Sequence, residues 1–115
     1  MGRLQPNTDA VRVAYEETST SGAACVITVA AVEGKLHVLE DLEFSYDADP
    51  AALSTITVTT GGETILEQYV TTGGVGQFSW GEHGRHGSES TRGSTMVITL
   101  KASAGRIGKL NAGVR

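Results

Sequence analysis

Residues 54–70 constrain the fold more than any other stretch of this chain. Ser54-Thr55-Ile56-Thr57-Val58-Thr59-Thr60 alternates strictly, with Ile56 and Val58 on one side and threonines on the other. A period of two in β-branched residues describes a half-buried antiparallel strand. Gly61-Gly62 follows at once and leads directly into residues 63–70. Two-residue hairpin loops need positive φ, which glycine supplies without steric cost, so the pair predicts a tight hairpin. An isolated hairpin is marginal in water. The apolar side of this one therefore has to be covered by further strands.

The rest of the chain supplies them. Val11, Val13 and Tyr15 alternate with Arg12 and Ala14, predicting an edge strand over residues 11–15 that the polar stretch 16–22 closes. Residues 23–32 alternate Cys25, Ile27 and Val29 with Val26 and Thr28, and Gly34 marks the following turn. Residues 35–46 form the longest strand-like segment. Leu36 and Val38 share a face, as do Leu42, Phe44 and Tyr46, while Leu39 falls out of parity beside the acids Glu40 and Asp41. That pattern predicts a bulge or bend at the two acids, with two half-strands in different sheets. Residues 47–52 read as a turn, because Asp47 and Asp49 favour turns and Pro50 bars its predecessor from the helical region. After a flexible connection over residues 71–76, Phe78 and Trp80 mark a short strand. Residues 94–101 and 107–114 give two closing strands around a turn at Ser103-Ala104-Gly105.

About eight short strands with scarcely any helical pattern predict an all-β domain, an antiparallel β-sandwich of jelly-roll-like form. Residues 1–10 hold Gly2, Pro6, Asn7 and Asp9 without apolar periodicity, and read as an N-terminal arm. Residues 11–115 form a single domain in this reading. A chain of 115 residues has room for one core.

Charge and cysteine content narrow the function classes. Acidic residues outnumber basic ones 13 to 9, and the Lys and Arg residues are scattered. Neutralising a run of phosphates needs clustered cations, so no nucleic acid is expected as a partner. No apolar run reaches membrane-spanning length and no hydrophobic leader precedes Val11, so no membrane is expected either, and the chain is read as made in the cytosol. Cys25, the single cysteine, lies in an apolar run and reads as a small buried thiol.

Few residues could carry chemistry. Residues 81–92 contain no apolar side chain and read as a solvated loop. Within it Glu82, His83, Arg85 and His86 are the exposed candidates, and Glu82, His83, His86 and Glu89 are the residues that could in principle bind a metal. His83 and His86 have a metal-compatible spacing, but the glycines around them provide no second shell to fix ligands, so no metal is expected. His37 reads as a half-buried strand histidine. Gly73-Gly74-Val75-Gly76 lacks the Lys-Ser/Thr and helix that a phosphate loop needs. Glu16-Glu17 and Glu40-Asp41 read as solvated strand edges that discourage aggregation. Trp80 with Tyr46 or Tyr69 could stack on a sugar, but in a chain with one tryptophan, two phenylalanines and three tyrosines, Phe44, Phe78 and Trp80 are read as core. No nucleophile, base or metal set converges, so neither an enzyme nor a cofactor is expected.

A family resemblance adds to this reading. Gly34-Lys35-Leu36-His37-Val38-Leu39, Phe44-Ser45-Tyr46-Asp47-Ala48-Asp49-Pro50, Leu53-Ser54-Thr55-Ile56-Thr57-Val58-Thr59, Gly61-Gly62-Glu63-Thr64-Ile65, and Val97-Ile98-Thr99-Leu100 with Gly108-Lys109-Leu110-Asn111 together resemble small tailed-phage structural proteins over residues 23–114. In character the chain is similar to capsid cement, or decoration, proteins. The resemblance implies a jelly-roll-like domain that associates as a homotrimer on the outer capsid surface of the virion. There it would bridge subunits of the major capsid protein, after assembly in the host cytoplasm. The capsid-contact candidates are then Arg3, Leu4, Gln5, Pro6 and Asn7 of the arm, with the 81–92 loop facing outward or touching the shell. The alternative is a phage head-fibre or tail-appendage module that binds a host receptor or carbohydrate.

Overall fold

The computed structural model describes residues 12–80, 89–90 and 92–115. Its eight strands are β1 (Val13–Thr18), β2 (Cys25–Val29), β3 (Leu39–Tyr46), β4 (Ser54–Thr60), β5 (Glu63–Val70), β6 (Gly76–Ser79), β7 (Met96–Leu100) and β8 (Gly108–Val114). They form two four-stranded antiparallel sheets: sheet I in the order β1-β8-β3-β6, and sheet II in the order β2-β7-β4-β5. The first strand pairs the last, the second the seventh, the third the sixth and the fourth the fifth. A chain folded back on itself in this way and wrapped into two sheets is a jelly roll.

Inward residues of both sheets make the core. Leu42, Phe44 and Tyr46 on β3 and Leu110, Ala112 and Val114 on β8 face Ile56 and Val58 on β4, Met96, Ile98 and Leu100 on β7, and Cys25, Ile27 and Val29 on β2. The central hairpin falls where the sequence places it, on both sides of Gly61 and Gly62, whose φ values are 56° and 83°. Beside that turn Ile65 is the extra residue of a bulge on β5, and it packs partly against the core.

The acids at the middle of β3 do make a bulge. Leu39 pairs with Val114 and Asp41 with Gly113, which leaves Glu40 as the inserted residue and lets Leu39 and Leu42 both turn inward despite their odd spacing. The expected half-strands in different sheets are not found. β3 lies in sheet I alone, and residues 35–37 are outside any strand. Val38 exchanges backbone hydrogen bonds of 2.9 Å with Arg115, and forms a lone bridge to Glu89. The reason lies in local bonding. The Lys35 amide donates to the Val32 carbonyl in a turn, and His37 bonds Ser90 and Ala30 instead of joining a ladder. β1 also runs past residue 15 to Thr18, because Glu16, Glu17 and Thr18 pair with Asn111, Leu110 and Lys109. Backbone pairing at an edge tolerates polar side chains.

Two ties fix the sheets to each other. The Tyr46 hydroxyl, buried between them, donates to the Lys101 carbonyl at 2.6 Å and lies 2.5 Å from the Ser54 hydroxyl. In the turn after β3, the Asp47 carboxylate accepts from the Ile107 amide at 2.9 Å and the Asp49 carboxylate from the Gly73 amide at 2.9 Å. These aspartates anchor the turn as local side-chain acceptors do.

Candidate functional site

With the inward side chains committed to the core, the described strand residues free to meet a partner are those of the two outer faces and the edges. Register places the outward residues of sheet I in rows that cross the strands. One row is Glu16 on β1, Asn111 on β8, Glu43 on β3 and Gln77 on β6. The next is Ala14, Gly113, Asp41 and Ser79. Apart from Gly113, these residues line a shallow groove of about 390 Å³ together with Arg12, Tyr15 and Ala112.

Arg12 lies over Gly113. Its guanidinium donates two hydrogen bonds to the Asp41 carboxylate, at 3.0 and 2.7 Å, and is 3.5 Å from Glu40. A side chain at Gly113 would collide with it, since a Cβ there would sit 2.2 Å from an Arg12 nitrogen. The hydrogen bond to Asp41 and its charge hold the guanidinium still more firmly protonated. Glu40, buried at the bulge, also accepts from Arg115 Nε at 2.7 Å. Arg12 and Arg115 thus balance Glu40 and Asp41. Glu16, Asn111, Glu43 and Gln77 have no side-chain hydrogen bond among the described residues.

Sheet II presents a different outer face. Its rows are Val26, Thr99, Thr57 and Glu67, and then Thr28, Val97, Thr59 and Thr64. Thr55 follows, between Lys101 and Tyr69. Charge is confined to Glu67 on the edge strand and Lys101 at one end. Val26 is 41% exposed and Tyr69 66%. A second groove, of about 310 Å³, runs between the neighbouring edge strands β1 and β2 and is lined by Tyr15, Glu17, Val26 and Thr28 among others.

Most of the residues singled out in the sequence fall elsewhere. Arg3, Leu4, Gln5, Pro6 and Asn7, and likewise Glu82, His83, Arg85 and His86, lie outside the described residues. The end of the 81–92 stretch departs from the solvated-loop expectation: Ser90 is buried and exchanges hydrogen bonds with the His37 backbone, at 2.7 Å from the His37 amide and 2.8 Å to its carbonyl. His37 is half-buried, outside any strand, with its ring Nε2 2.8 Å from the Ala30 carbonyl.

The aromatic residues do not make an exposed platform around Trp80. Phe44 is core, and Phe78 and Trp80 continue from it as a stack, with ring centroids 6.0 and 5.8 Å apart and both outer rings partly covered. Tyr46 is buried, and among the described aromatic residues only Tyr69 is largely exposed, on the other sheet. Cys25 is a buried thiol whose Sγ donates to the Glu17 carbonyl. Burial, and then the charge of Glu17, push its pKa up, which is the opposite of what a reactive thiolate requires. Among the described residues no three His, Cys, Asp or Glu side chains gather as a metal site.

The polar row Glu16–Asn111–Glu43–Gln77 had no signal in the sequence. Alternation alone turns Glu43 outward, but neighbours in the row are 34 to 95 residues apart, and only the pairing of the first strand with the last, the last with the third and the third with the sixth brings them together.

No family model matches this chain, and no curated protein does. A solved chain described as "CBM4 structure and function" is similar to it at 16% identity with a TM-score of 0.38, over 97% of this chain and 84% of that one. The jelly-roll assignment rests on the strand order itself.

Proposed function

We propose that this domain is a structural assembly module, a capsid cement protein that self-associates as a trimer and bridges major capsid subunits on the virion surface. The observation that carries the reading is the outer face of sheet II. A solvated sheet face normally intersperses charges, and these are the ordinary means of keeping sheet proteins apart. Here Thr55, Thr57, Thr59, Val97 and Thr99 form an uncharged field, flanked by exposed Val26 and Tyr69, with Glu67 and Lys101 at its rim. Threonine and valine lose little side-chain entropy when covered, and a central patch poor in charge with a polar rim is how protein interfaces are composed. The occupant is a second copy of this chain, in keeping with the closed symmetry of most homo-oligomers. Contact with the shell is assigned to residues 1–10.

The test is cosedimentation of the purified chain with capsids that lack it, prepared from the phage genome that encodes it. Saturable binding, lost when residues 1–10 are deleted from a chain that still melts cooperatively, is expected. Absence of binding by the full chain, or undiminished binding by the truncation, contradicts the reading.

A further inference from the structure

We infer that the groove on the outer face of sheet I binds a neutral, hydroxyl-rich chain: a glycan of uncharged sugars. This goes beyond the assembly reading and concerns the opposite side of the sandwich. The row Glu16–Asn111–Glu43–Gln77 alternates carboxylate and carboxamide across four hydrogen-bonded strands. Strands lie about 4.8 Å apart, so the row spans about 14 Å. An ionised carboxylate only accepts hydrogen bonds, whereas a carboxamide both donates and accepts. Vicinal hydroxyls, each a donor and an acceptor, can satisfy such an alternating line along its length.

Charge selects among ligands. Among the described residues that line the groove the single cation, Arg12, is held by Asp41 and Glu40. The outward Lys109 belongs to the next row, between Thr18 and Ser45, outside that lining. Within it Glu16 and Glu43 repel phosphate, sulfate or uronate groups. A divalent cation fits poorly. Glu16 and Glu43 sit on strands separated by β8, about 10 Å apart, while calcium needs its oxygens at about 2.3–2.6 Å. A protein partner would leave these polar groups to be matched one by one on a face without an apolar anchor. A sugar chain matches them by its own composition. The small side chains of Ala14 and Ser79 in the adjoining row leave the groove open, which suits an extended chain lying across the strands. None of the four row side chains has a hydrogen-bond partner among the described residues to give up on binding.

The experiment is a heteronuclear NMR titration of the full chain with linear oligomers of glucose, mannose, galactose and N-acetylglucosamine, with oligogalacturonate and calcium chloride as counter-probes. At least one neutral oligomer is expected to shift amide signals around Glu16, Glu43, Gln77 and Asn111. Asn111→Ala and Glu43→Ala should each weaken that binding at least tenfold. Gln77→Ala, at an exposed site on an edge strand, gives the same reading if either of those variants fails to fold. Silence of all four neutral series overturns the inference, as do larger shifts with oligogalacturonate or calcium, or unchanged affinity in the variants. Running the titration also on Thr57→Lys, which alters only the other face, separates failure here from failure of the assembly reading.

Discussion

The outer faces of sheet I and sheet II come from the same alternation of inward and outward residues and cover the same core, yet their chemistry is opposite. Sheet I turns out carboxylates, amides, Lys109 and an arginine bound to two acids, around a shallow groove. Sheet II turns out threonine and valine with charge only at its margins. The fold requires neither pattern, because the inward residues alone determine how the sheets pack. Outward positions are therefore where selection for binding leaves its mark, and under the proposed assembly the contrast would divide the work: one face to be covered by copies of the chain, the other to be displayed.

The sharpest way to break that contrast is to compare an inward residue with its outward neighbour on one strand. Ile98→Ala empties a fully buried position on β7 and should cost about 2–5 kcal/mol by denaturant unfolding. Thr99→Lys beside it should change the stability of the isolated domain by no more than about 0.5 kcal/mol while weakening self-association. A large loss of fold stability in Thr99→Lys would mean that the face is structural. Next in size is Tyr46→Phe. It removes the hydroxyl that bonds Ser54 and the Lys101 carbonyl across the sandwich, and should cost about 1–3 kcal/mol by the same measurement.

Stability should also depend on alkaline pH through Cys25. The folded thiol is pushed above its ordinary value of 9.0 by burial and by Glu17. The unfolded chain therefore releases its proton first, so the contribution is complete below pH 9.0 and declines as the pH rises past it. Thermal melts of the wild type should fall over that interval more steeply than those of Cys25→Ala; equal slopes would contradict the assignment. Tyr46, raised by burial from its ordinary 10.0, adds a decline of the same sign at higher pH. The smallest effect is expected from Gly113→Ala. The new methyl group forces the Arg12 guanidinium off Asp41, but that side chain has solvent to move into, so the melting temperature should drop by less than about 4 °C.

What could be read in the sequence follows the same division between inside and outside. Ile56 and Val58 mark their strand because burial imposes a period of two, and Gly61-Gly62 marks its turn because only positive φ closes it. The parity break at Leu39 disclosed the Glu40 bulge for the same reason: both Leu39 and Leu42 had to reach the core. Residues 35–37 misled because Leu36 and Val38 keep strand parity, although the bonds of His37 to Ala30 and Ser90 draw the chain out of the ladder. The outer rows could not be read. Glu16 and Asn111 become neighbours only when the first and last strands meet, and no local pattern records that pairing.

Whether copies of the chain cover the uncharged face of sheet II is decided by the molar mass in solution of the wild type and of Thr57→Lys/Thr99→Lys. Light scattering across a range of concentrations measures it. Three chain masses are expected for the wild type and one for the folded variant. A wild type that stays monomeric at every concentration, or a variant that remains trimeric, would contradict this.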